Sequence, residues 1–163
     1  MTAHTGDIPA IIRKETRNNI IINTVINAVI AYFLFKKHDS LPVWGENSYG
    51  EDLIIGGFIL SIILAGIFIA LFRHRVKQGQ VQPEGHEGKA LAWLIPYNVW
   101  LATPWLGFLG AAIFAPLLIG LLLLVGADTL TPVVYAAIKG VWAGALAGVI
   151  TVIAITQGLR TPQ

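Results

Sequence analysis

The sequence contains no cysteine. Disulfides, thiolate metal sites and a cysteine nucleophile are therefore excluded. Charge is scarce: Asp, Glu, Lys and Arg make up 12% of the 163 residues, where a soluble domain carries about a quarter. The motifs that announce catalysis are also missing. There is no Gly-rich phosphate loop, no H-E-x-x-H, no G-x-S-x-G and no pair of histidines placed within an apolar run to hold a haem. No carboxylate stands in the middle of an apolar run, so the usual proton-coupling residue of a secondary transporter is lacking. No catalytic, cofactor or metal site is expected. A net charge of +2 gives no reason to expect nucleic acid as a partner. No cleavable signal peptide is evident, because the first apolar run begins late, carries several Asn and ends at Lys36-Lys37 without a small-residue cleavage site.

What the sequence has in excess is apolar residues, 55% of the chain, with a mean hydropathy of +0.70. This composition fits an all-α polytopic membrane protein with the lipid bilayer as its solvent. A helix needs roughly 20 apolar residues to cross the hydrocarbon core, and four spans are expected, at about 18–35, 53–72, 104–125 and 132–156. The second has no charge and stops at Arg73-His74-Arg75. The third lies in a stretch without charge from Ala90 to Gly126. As one straight helix this would be ~55 Å long, nearly twice the ~30 Å core. Pro96, Pro104 and Pro116 are the candidate breaks. Trp93, Tyr97 and Trp100 share one helical face, which suits an interfacial helix at about 88–102 ahead of the third span. A re-entrant hairpin or a further crossing is the alternative.

The basic residues set the expected orientation. Arg13, Lys14, Arg17, Arg73, Arg75, Lys77, Lys89 and Arg160 fall on one side of a four-span chain, and Lys36 and Lys37 on the other. The positive-inside rule then places both termini in the cytoplasm.

Three constellations within the spans attract interest. Asn19, Asn23 and Asn27 recur every four residues and form a polar face on the first helix. Such a face points away from lipid, either to bond neighbouring helices or to line a path for water, a small polar solute or an ion. Gly140, Gly144 and Gly148 form a small-residue row on the fourth helix, which implies a close helix crossing within the chain or between copies. Gly57, Ser61 and Ala65 on the second helix offer a matching face. Lys139 is a charge about seven residues into the last span, ~10 Å along it. It is expected to snorkel or to pair with Asp128 in the preceding loop, an anion or headgroup contact being the functional alternative.

The loops carry less. Glu84, His86 and Glu87 lack a recognised ligand spacing, and His74 between two arginines suits a headgroup-facing basic cluster. His38, Asp39, Glu46, Glu51 and Asp52 make an acidic outer loop that reads as a solvated turn. The balance favours a non-enzymatic helical subunit that assembles with itself or with other membrane subunits. The alternatives are a small oligomeric channel or transporter lined by the Asn face and, more weakly, an interfacial enzyme acting on lipid.

Overall fold

The computed structural model describes residues 7–82 and 94–160. It is helical, with four helices long and apolar enough to cross a membrane. Helix α1 spans Ile8–Phe35, α2 Tyr49–Lys77, α3 Val99–Leu124 and α4 Pro132–Gly158. The expected four spans are all present, and each helix is longer than its apolar run. Helix α1 starts about ten residues earlier than 18, with Pro9 in its first turn, where a missing N–H costs nothing. Helix α2 begins at Tyr49 and so takes in Glu51 and Asp52, while His74, Arg75 and Lys77 occupy its last turn. Carboxylates at the N-terminus and cations at the C-terminus both favour the helix dipole.

The third span also begins early. Leu94–Asn98 is turn and bend, and Val99–Ala102 is the first turn of α3 itself. A separate interfacial helix over 88–102 is thus not formed in its described part, and residues 88–93 lie outside the described residues, as do Glu84, His86 and Glu87. Asn98 caps α3, its side-chain oxygen accepting from Trp100 N at 2.9 Å. That cap starts the helix before Pro104, which falls early enough in it to be tolerated. Further along, Gly110–Phe114 forms a π-helical turn just ahead of Pro116. Proline lacks the N–H and crowds the preceding turn, and the wider turn accommodates both.

Helices α2 and α3 stop by the same device. Gly79 (φ +68°) and Gly126 (φ +75°) adopt left-handed backbone conformations just past the helix ends. Gly79 N donates to Val76 O and Gln80 N to Arg75 O, both at 3.0 Å; Gly126 N donates to Leu123 O at 3.0 Å and Ala127 N to Leu122 O at 2.9 Å. These paired bonds satisfy the last carbonyls of each helix.

Helix α4 lies at the centre. It packs against α1 on one side and α2 on the other, and α3 packs against α2. Trp142 Nε1 of α4 reaches α3, donating to Phe114 O at 3.1 Å. Where α1 ends and α2 begins, two short strands, β1 (Leu41–Pro42) and β2 (Thr129–Leu130), pair antiparallel. They tie the 36–48 loop to the loop before α4. Gly50 N donates to Val43 O at 3.0 Å, and a Cβ on Gly50 would overlap that same carbonyl.

Candidate functional site

Lys139 lies in the third turn of α4 and is 4% exposed. It does not snorkel, and it does not meet Asp128, which is exposed. Its Nζ pairs with Asp52 Oδ2 on α2. The helical extension of α2 back to Tyr49 is what makes this contact: Asp52 becomes a helical residue facing α4 rather than part of a solvated loop. Gly56, one turn further along α2, leaves room for the lysine stem, whose Nζ and Cε pass 3.6 and 3.7 Å from where a Gly56 Cβ would stand.

Tyr135, one turn before Lys139, completes the cluster. Its hydroxyl donates to the same Asp52 Oδ2 and lies 3.4 Å from Tyr49 O. The Tyr135 ring packs edge-on against Phe35 of α1 at 5.6 Å and lies 5.9 Å from the Tyr49 ring. Tyr49 OH in turn donates to Ala127 O at 2.7 Å. One carboxylate oxygen therefore joins α2 to α4, and the flanking aromatics bring in α1 and the loop before β2. Opposite charges close on each other, and the tyrosine hydroxyl donates to the carboxylate, so the arrangement suits a latch between helices.

The asparagines are spent locally. Asn19 Nδ2 donates to Glu15 O at 3.0 Å, Asn23 Nδ2 to Asn19 O at 2.9 Å, and Asn27 Nδ2 to Asn23 O at 3.0 Å. Each amide bonds its own helix one turn back. Asn23 is 9% exposed, and Asn19 and Asn27 are half-buried.

The glycine row packs within the chain, and its partner is α1, not the Gly57/Ser61/Ala65 face of α2. A Cβ on Gly140 would lie 2.7 Å from Thr24 O and 2.8 Å from Ala28 Cβ. One on Gly144 would overlap Thr24 Oγ1 and lie 3.0 Å from Ile20 O, and one on Gly148 would lie 2.9 Å from Ile20 Cγ1. Gly57 and Ser61 instead receive Gly110 of α3, where a Cβ would overlap Ser61 Oγ and lie 3.3 Å from Gly57 O. Two close crossings thus flank the Lys139–Asp52 pair, α1 on α4 and α2 on α3.

At the opposite end a second polar cluster holds the segment before α3. Arg73 Nη2 donates to Tyr97 O, and its guanidinium lies 4.2 Å from the Tyr97 ring centroid. Arg160 Nη1 donates to Ile95 O at 3.0 Å and to Gln157 Oε1 at 2.9 Å, and Gln157 Nε2 donates to Pro96 O at 2.8 Å. The ends of α2 and α4 thereby clamp residues 95–97. Patterns in sequence gave no sign of this clamp, because its acceptors are backbone carbonyls.

His74 bonds Gln78 on its own helix at 2.8 Å. His38 packs beside Phe35 at the other end of the molecule, 6.4 Å between ring centroids. Among the described residues no three His, Asp or Glu side chains are grouped as metal ligands. No protein-family model matches the chain, and neither curated proteins nor solved structures give a significant match.

Proposed function

We propose that this chain is a non-enzymatic subunit of a membrane assembly, acting by self-association or by docking to other membrane proteins, with both termini in the cytoplasm. The observation that carries the reading is the pairing of Lys139 with Asp52 and the local bonding of the three α1 amides. Amides and charges at membrane depth mark a solute path when they face a cavity; here each amide donates to its own helix backbone, and the charge pair holds α2 to α4. What remains for recognition is the outer surface. Helix α1 contributes most to it: Ile22, Val25, Ile26, Val29, Ile30 and Phe33 are all exposed on a helix that packs chiefly on α4. The channel reading has less support, since each amide of its lining gives one N–H to its own helix backbone.

The test is the native mass of the protein extracted from its own membrane in a mild detergent, with copurifying proteins identified. A homo-oligomer or a defined hetero-complex is expected. A monodisperse monomer without partners, recovered equally from crosslinked and untreated membranes, refutes the assembly role. The orientation follows from the basic residues of the N-terminal segment, the second loop and the C-terminus.

A further inference from the structure

An open surface groove of about 610 Å³ runs along the first turns of α1, with Val152 of α4 at its edge. Its walls are apolar, with Ile12, Ile20 and Ile21 from α1 and Val152 from α4, and Arg13 and Arg17 stand among them. Both arginines are exposed and lie one helical turn apart, ~6 Å along the axis. Ile20 and Ile21 lie one turn deeper, inside the apolar run. Charge and grease are thus layered as in one leaflet of a bilayer, with cations at headgroup level and an aliphatic channel beneath them. Beside it Ile20 packs against Gly148 of α4.

We propose that this groove binds one anionic phospholipid from the leaflet on the N-terminal side. Its phosphodiester would lie between Arg13 and Arg17, and one acyl chain would run over Ile20, Ile21 and Val152. Guanidinium forks match phosphate oxygens geometrically as well as by charge. A second transmembrane helix is a poorer occupant, because it would press an apolar surface onto two arginines and desolvate them. A lipid leaves both in the headgroup layer. Arg75 and Lys77 stand at the same end of the molecule but do not line the groove. This inference does not depend on the assembly role, since a lipid can sit in the groove of a monomer or an oligomer.

The experiment is native mass spectrometry of the full chain released from bilayers of equal phosphatidylglycerol and phosphatidylcholine with identical acyl chains. One retained phosphatidylglycerol per chain is expected, preferred about 25-fold, because each cation near an anionic lipid contributes roughly fivefold. Arg13→Gln/Arg17→Gln should bring the preference close to unity. Arg75→Gln/Lys77→Gln, with the same charge change at the end of α2, should leave it intact. Absence of preference in the native chain overturns the proposal, and so does an equal loss in both double variants, which would show a diffuse electrostatic effect. A measurement on the unaltered chain guards against misfolded variants: phosphatidylglycerol carrying a photoreactive group in its acyl chain should label Ile20, Ile21 or Val152. Labelling no greater there than at Leu117 and Leu121 on the outer face of α3, or protein–protein crosslinks at Ile21 in place of lipid, overturns it too.

Discussion

Replacing Asp52 by Asn tests the latch between α2 and α4. The substitution keeps the shape of the side chain and removes the charge that Lys139 closes on. The Lys139 side chain is 5% exposed and that of Asp52 18%. Removing one partner of a buried pair costs about 3–5 kcal/mol because the other charge is left unpaired. Asp52 retains some contact with the surroundings and lies in the first turn of its helix, so the lower end, about 3 kcal/mol, is expected. Lys139→Met should cost less, about 1.5–2 kcal/mol, because the carboxylate keeps the Tyr135 hydroxyl. Asp52→Asn/Lys139→Met removes both charges together, leaves an amide oxygen to accept from the Tyr135 hydroxyl, and should lie within about 1 kcal/mol of the native protein. The coupling energy then exceeds 2 kcal/mol. That is larger than interhelical hydrogen bonds between neutral groups in membranes, which average about 0.6 and reach about 1.7 kcal/mol. The assay is reversible unfolding in mixed detergent–dodecyl sulfate micelles, followed by far-UV circular dichroism. A double variant as unstable as the sum of its singles would falsify the account of the pair as a closed unit.

The same assay checks the close crossing of α1 and α4: Gly144→Leu should destabilise by about 3 kcal/mol, the upper end for overpacking, because the backbone carbonyl of Ile20 cannot move aside as a side chain can. Wild-type stability in that variant would mean that the helices do not meet there. Asn23→Leu should change stability by less than about 1 kcal/mol, since the amide bonds only its own helix backbone and the replacement is of similar size; a loss of several kcal/mol would reveal a partner for this amide beyond its own helix. The absence of native cysteine makes topology simple to read. Glu46→Cys should react with an impermeant maleimide added to intact cells, and Lys77→Cys should react only after permeabilisation. The reverse pattern would invert the orientation proposed from the positive-inside rule.

The apolar runs located all four helices, because hydropathy reports what must face lipid and each run in this chain is separated by charge or turn residues. They did not locate the helix ends. A helix continues past the hydrocarbon boundary as long as its backbone is satisfied, and water or headgroups tolerate polar side chains there. Helix α1 therefore begins at Ile8 with three basic residues on its exposed surface, and α2 begins at Tyr49. The second of these extensions decided the reading of Lys139. With Asp52 taken as loop, Asp128 was the natural partner, being close in sequence. With Asp52 helical, the carboxylate and Gly56 fall one turn apart, which gives a lysine both a counter-ion and a place for its stem. A buried lysine demands a carboxylate at equal depth, and the start of α2 was the place to seek it.

The small residues teach a related lesson about pairing. The spacing of Gly140, Gly144 and Gly148 announces that some backbone approaches closely, and a Cβ on Gly140 would meet Thr24 O, one on Gly144 Ile20 O. The spacing does not name the partner. Thr24 and Ala28 supply the complementary face on α1, each next in sequence to an asparagine. The asparagines can occupy that region without a polar partner on α4 because each donates to a carbonyl of its own helix, which turns a polar ladder into a surface that packs. Polarity within an apolar run thus has two opposite uses, opening a path or closing a contact, and periodicity is the same for both. Only the acceptor of each amide distinguishes them, and in α1 every one of the three acceptors is the backbone one turn back.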